Sequence, residues 1–254
     1  MKNCNKDSIR RCTALFTLTL LIWSHDCRAS GMTETTGKMN GLLSAGDIAA
    51  IQDDNESTWV RTLPVDSFVK VRQLSGDNNY YSVLTNDENW PYIHSHYMPL
   101  SKVVRYGYQL PDTLDNVKHL SWLWRVSQPP SGADERKNGK NDSGCAVYLV
   151  FKDNLKTYMV KYVYSSVVPE GTVIRMDPMY PIQQMRLIVA STWTPDGKNR
   201  WKQVTVDICA DFCRVYGTQN CPELKGIGIL SDGDGTKSEV IADYAQFVLT
   251  GVKK

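Results

Sequence analysis

From Trp59 to Leu249 apolar side chains recur at a period of two or in short unbroken runs, and clusters of Gly, Pro, Asn and Asp separate those runs. Successive side chains of an extended chain point to opposite faces, so the pattern specifies strands joined by turns. Eleven strands are predicted, over residues 67–74, 80–84, 90–96, 102–108, 119–126, 145–151, 157–164, 184–190, 201–207, 226–230 and 240–249. Short strands with so little helix between them bury their apolar faces against one another, which makes the chain mainly β and a sandwich. Trp122, Trp124 and Val126 alternate with Leu123 and Arg125, while Tyr158, Val160, Tyr162 and Tyr164 alternate with Met159, Lys161 and Val163. One face of each of those strands is therefore aromatic-rich. A single short helix is predicted over 208–216, opened by Asp207 as a cap and closed by Gly217.

The first residues follow another pattern. Lys2, Lys6, Arg10 and Arg11 precede an apolar run from Ala14 to Trp23, and Cys27 and Ala29 sit three and one before a cleavage point after Ala29. This is the layout of a secretory signal peptide over 1–29. The apolar run spans only ~15 Å as a helix against a hydrocarbon core of ~30 Å, so no transmembrane segment is expected after cleavage. Residues 30–57 are polar and small and read as an arm or linker, and 58–254 as one domain. The implied location is periplasmic or secreted.

Cleavage removes five basic and two acidic groups and leaves 24 and 25, a nearly neutral chain. Such a surface has no general electrostatic attraction for nucleic acid, which is set aside as a partner. It also leaves four cysteines, Cys145, Cys209, Cys213 and Cys221, in a compartment where disulfides persist. Cys209 and Cys213 share a helix face, so each is expected to reach outward, one to Cys221 and one to Cys145. The alternative is a zinc site on the C-x3-C pair.

Several constellations invite chemistry, and each has a plainer structural explanation. Asp134, Glu135 and Asp142 lie in the long polar stretch 128–144 with Arg136 beside them. They form a solvated loop, a binding site for a polar ligand or cation, or an acid and base for glycoside chemistry. Asp232 and Asp234, with Glu239 following, place oxygen ligands on a glycine-flexed turn that suits a structural calcium ion, or simply make a hairpin turn. His94 and His96 share one strand face and, with Met98 or His119, supply transition-metal ligands; half-exposed strand histidines account for the same residues. Trp193 beside the turn 195–198, together with Trp122, Trp124 and Trp201, offers rings of the kind that stack on sugars or fill core margins. No nucleophile elbow, zinc-protease helix, phosphate loop or dinucleotide fingerprint occurs in its required context, which favours binding over catalysis.

Motif order adds a further constraint. Leu120-Ser121-Trp122-Leu123-Trp124-Arg125-Val126, Gly132-Ala133-Asp134-Glu135-Arg136, Asn141-Asp142, Ala146 to Phe151 and Tyr162-Val163-Tyr164-Ser165-Ser166 are followed by Gly226 to Asp234 and Asp243. In that order they resemble domain-of-unknown-function family 3047, well over 120–249 and poorly over 59–119. The resemblance implies an exported bacterial protein with a jelly-roll-like antiparallel β-sandwich, similar in outline to carbohydrate-binding modules, and no established activity. The leading expectation is a binding module for a carbohydrate or other polar ligand. A glycan-acting hydrolase using the loop carboxylates, and a cell-envelope assembly protein that binds a protein partner, are the alternatives.

Overall fold

A computed structural model describes residues 58–73, 79–112, 114, 116–176 and 182–253. The expected signal peptide and arm lie outside the described residues. Thirteen strands are found among them: β1 (Thr58–Leu63), β2 (Val69–Gln73), β3 (Tyr81–Thr85), β4 (Pro91–Tyr97), β5 (Val104–Gln109), β6 (Val117–Gln128), β7 (Cys145–Asp153), β8 (Lys156–Ser165), β9 (Val173–Met176), β10 (Gln183–Thr192), β11 (Lys202–Asp207), β12 (Glu223–Leu230) and β13 (Val240–Val252). The helix α1 (Ile208–Tyr216) follows β11 directly.

The strands make two sheets. The first has the order β11-β6-β13-β4-β3 with β1 also on β13, and the second the order β2-β5-β12-β7-β8-β10-β9. The long β13 serves two partners on one edge: β4 takes residues 240–245 and β1 takes 247–252, while β6 lies along the other edge. Between the two halves Gln246 adopts φ 50° at an irregularity in the register, so the strand bulges where its edge partner changes. Among the described residues every ladder is antiparallel except β8 with β10, which run parallel.

Inward alternation builds the core. Leu120, Trp122, Trp124 and Val126 of β6 meet Val160, Tyr162 and Tyr164 of β8, with Cys145, Val147, Leu149 and Phe151 of β7 alongside. Trp122 packs edge-on to Trp124 at 5.3 Å and lies 5.6 Å from Tyr162, while Trp124 lies 5.7 Å from Tyr164. Rings of this size remove large apolar areas from water, at about 1.5–3 kcal/mol for a fully buried large apolar side chain. The second sheet also buries part of its outer face, where Ala146, Tyr148, Val163, Leu187 and Val189 pack with Val168.

The predicted strands recur with shifted ends, and two strands escape the periodicity. β1 is an edge strand with several exposed side chains, and β9 has only four residues, too few to display alternation. A 3-10 turn at Val65–Ser67 delays the start of β2. The helix forms as expected: the Asp207 carboxylate accepts from the Ala210 amide at 2.8 Å, and Gly217 takes the left-handed conformation that glycine tolerates best.

One of the two expected cysteine pairings is present. Cys209 and Cys221 form a disulfide with Cα atoms 5.3 Å apart, tying α1 to the segment entering β12. Cys145 and Cys213 are free thiols. The helix sits at the Phe151 end of β7, with Phe212 4.7 Å from Phe151. Cys145 is six residues back along that strand, ~20 Å away. Its thiol instead lies against the carbonyl oxygens of Arg125 and Asp243 inside the sandwich. Disulfide formation requires Cα atoms within ~7 Å, which this geometry forbids.

Candidate functional site

Two polar groupings stand out from the apolar framework. The first is where the β6–β7 loop meets the β12–β13 turn. Asp142 crosses to that turn and organises it: one carboxylate oxygen accepts from the Gly235 amide at 3.1 Å, and the other from the Thr236 amide at 2.7 Å and hydroxyl at 2.6 Å. Ligand atoms of Asp142, Asp232 and Asp234 lie within 4.8 Å of one another. Like charges so close and so buried cannot all ionise freely. Burial, with Asp142 and Asp234 adding repulsion and Lys161 opposing it, pushes the Asp232 carboxyl up to about 7. Burial and Asp142 raise Asp234 as well.

Lys161 supplies the countercharge. It projects from the outer face of β8 yet is only 3% exposed. Burial opposes its ammonium form, but Tyr148, Asp232 and Glu135 outweigh that and raise its pKa. The trio of aspartates has the oxygen donors of a hard-cation site, and the fold already places an ammonium beside it.

The remaining loop carboxylates are committed to structure. Asp134 takes Arg136 through Nε at 2.8 Å and Nη2 at 2.9 Å, and Lys137 at 3.2 Å. The hydrogen bond from the Arg136 guanidinium holds its carboxyl well below the usual carboxylate range. Glu135 is buried and accepts from the hydroxyls of Ser143 at 3.1 Å and Ser165 at 2.6 Å. Asp134 and Glu135 therefore lock the loop to itself and to the sheet, while the Arg136 side chain that Asp134 holds stays half exposed. Glu239 does not join the aspartates; it pairs with His96 at 2.6 Å.

The tryptophans divide between the two readings that the sequence offers for them. Trp122 and Trp124 are fully buried between the sheets, because their parity places them inward, and no ligand reaches them. Trp193 is packed against the same core, with its indole N–H buried and unbonded. Trp201, partly exposed, lies beside Arg125 of β6.

The outer face of the first sheet is the second grouping. Register sets two lateral rows on it. Ser82, His94, Asp243 and Arg125 stand opposite one another across β3, β4, β13 and β6. Leu84, Tyr92, Ala245, Leu123 and Gln203 form the next row. Asp243 is 3% exposed in its side chain and is shared: His94 Nδ1 lies 2.7 Å from one oxygen and Arg125 Nε 2.5 Å from the other. The Arg125 guanidinium stacks 4.5 Å from the Trp201 ring and 5.3 Å from Tyr92. Trp90 completes the group, 5.1 Å from Trp201. The result is a half-buried aromatic cluster around a cation whose orientation a carboxylate fixes.

Ser82 faces His94 across the β3–β4 pairing, and no hydrogen bond joins their side chains among the described residues. An open cleft of about 420 Å³ adjoins the row, lined by Tyr80, Ser82, His94, His96, Met98 and Ser101. His119 is not part of it. It pairs with Thr250 of β13, seven residues from Asp243, ~23 Å along the strand.

Arg125, Asp243, Trp90 and Tyr92 carry this face; Arg125 and Asp243 lie in the family motifs, but none of the four is a candidate site residue by sequence. A signal existed: Arg125 and Asp243 each interrupt an otherwise apolar strand, and a charge placed there requires a partner.

Comparison with known proteins adds little about activity. No curated protein matches the sequence. The solved Agl-KA catalytic domain aligns at 9% identity with TM-score 0.32, covering 78% of this chain and 29% of that one, a likeness too slight to carry function. The match to a family of proteins of unknown function spans residues 70–248, reaching upstream into β2 and so beyond the motifs that first suggested it. The motif residues Asp142, Asp232 and Asp243 all fall in the two polar groupings, and the chain belongs to the family of proteins of unknown function DUF3047.

Proposed function

We propose that the chain is an exported binding protein whose first-sheet outer face takes a carbohydrate. The observation that carries this is the Arg125 arrangement. Asp243 holds Nε, while the two terminal guanidinium nitrogens have no hydrogen-bond partner among the described residues and the guanidinium lies over the rings of Tyr92 and Trp201, with Trp90 packed against both rings. Sugars combine apolar C–H faces with hydroxyl rims, and are recognised where an aromatic surface meets fixed hydrogen-bond donors. The loop carboxylates favour binding over hydrolysis, since Asp134 and Glu135 are both engaged in structural contacts. Export rests on the layout of residues 1–29.

The test is calorimetry of the protein from Ser30 onward against soluble polysaccharides of the cell envelope and their oligosaccharides. Trp201→Ala and Tyr92→Ala are each expected to weaken binding about tenfold, in line with ~1–1.5 kcal/mol for one aromatic contact. Unchanged affinity in both variants rules this face out. For export, the amino terminus of protein recovered outside the cytoplasm is expected to be Ser30; retention of residues 1–29 on that protein contradicts the proposed cleavage.

A further inference from the structure

We propose that His94, His96 and Met98 form a copper site that takes the cuprous ion at the mouth of the 420 Å³ cleft. His94 and His96 alternate along β4, so a strand's period of two puts both on the outer face, and Met98 follows the end of the strand directly. All three line the same cleft.

Each imidazole is oriented in the way metal-binding histidines are. His94 Nδ1 is 2.7 Å from Asp243, which leaves Nε2 to coordinate. His96 Nε2 is 2.6 Å from Glu239, which leaves Nδ1. A carboxylate behind the ring fixes tautomer and direction and makes the other nitrogen a better donor. Neither free nitrogen has a hydrogen-bond partner among the described residues.

The spacing suits one ion. The two ring centroids are 6.4 Å apart. With metal–nitrogen bonds of about 2 Å, two imidazoles on one ion place their centroids roughly 5–6.5 Å apart. The observed distance lies at the wide end of that range, which corresponds to a nearly linear arrangement of the two nitrogens about the ion with both carboxylate contacts kept. Met98, half exposed at 50%, then adds a thioether. Two imidazoles and a thioether are a borderline-to-soft donor set, which selects copper, and the cuprous state in particular, over magnesium or calcium. The aspartate cluster has the opposite, hard-oxygen character.

The experiment is anaerobic titration of the protein from Ser30 onward with cuprous ion in competition with a chromogenic cuprous chelator, followed by X-ray absorption on the loaded protein. One equivalent is expected, with two nitrogen scatterers and one sulfur scatterer. Met98→Leu preserves shape at an exposed position and is expected to lower cuprous affinity at least tenfold while leaving zinc affinity within twofold. The double variant His94→Ala, His96→Ala is expected to lose the site, with folding checked by circular dichroism. Cys213→Ser, which removes a free thiol elsewhere, is expected to bind as the parent does. The proposal is overturned if the double variant keeps full affinity, if Cys213→Ser abolishes binding, or if no sulfur scatterer from Met98 is seen.

Discussion

Arg125 and Asp243 face each other across the pairing of β6 with β13, 118 residues apart in sequence, with Arg125 Nε 2.5 Å from Asp243 Oδ2. The carboxylate is almost wholly buried, whereas the guanidinium is a quarter exposed. Removing the cation leaves a buried charge with only His94 against it. Arg125→Ala is therefore expected to cost about 3 kcal/mol in urea unfolding, and the cycle with Asp243→Asn to show coupling above about 1 kcal/mol. Additive effects in that cycle contradict the pairing.

Asp232 predicts a pH dependence of stability. Its carboxyl moves from 3.8 to about 7 on folding, chiefly through burial, so the folded chain holds a proton that the unfolded chain has released. The stability this group contributes is complete below about pH 4, declines as pH rises, and is lost once pH passes about 7. Asp232→Asn keeps the shape and stays neutral. Its melting temperature is expected to match the parent near pH ~4 and to exceed it increasingly up to pH ~8. A constant difference across that range contradicts the buried, proton-retaining state.

The cysteines have a direct chemical test. Denatured, unreduced protein from Ser30 onward is expected to show two reactive thiols, Cys145 and Cys213, and in the native state Cys145 is expected to be protected by burial. Loss of the Cys209–Cys221 link through the double serine variant is expected to cost about 2–4 kcal/mol. Four reactive thiols before reduction contradict the link.

Trp122 and Trp201 separate core from surface. Trp122→Ala empties a fully buried site and is expected to cost about 3–5 kcal/mol. Trp122→Phe costs less, because the Trp122 indole N–H makes no hydrogen bond that Phe would forfeit. Trp201→Ala is expected to change stability by about 1 kcal/mol or less, and to act on carbohydrate binding instead. Thermal unfolding of the three variants side by side checks the order.

Much of the fold was legible locally. The parity of Trp122 and Trp124 against Arg125, the cap at Asp207 and the stop at Gly217 all express periods and conformational preferences that act within a few residues. The 129–144 connection was legible for the same reason, as a polar stretch between two apolar runs. Its carboxylates were harder to interpret, because whether Glu135 meets solvent or the hydroxyls of Ser143 and Ser165 depends on how the loop folds onto the sheet.

The sequence by itself determined that this chain makes strands with two chemically distinct faces, one short capped helix and a polar loop rich in acidic groups. Only the tertiary structure decided which face is interior, which cysteines meet, and that Asp142 joins Asp232 and Asp234 while Asp243 joins Arg125 and His94. The physical reason is range. Alternation and capping act between neighbours along the chain, whereas these contacts are set by the order and register in which distant strands pair, and a one-residue slip would turn every one of these side chains to the opposite face.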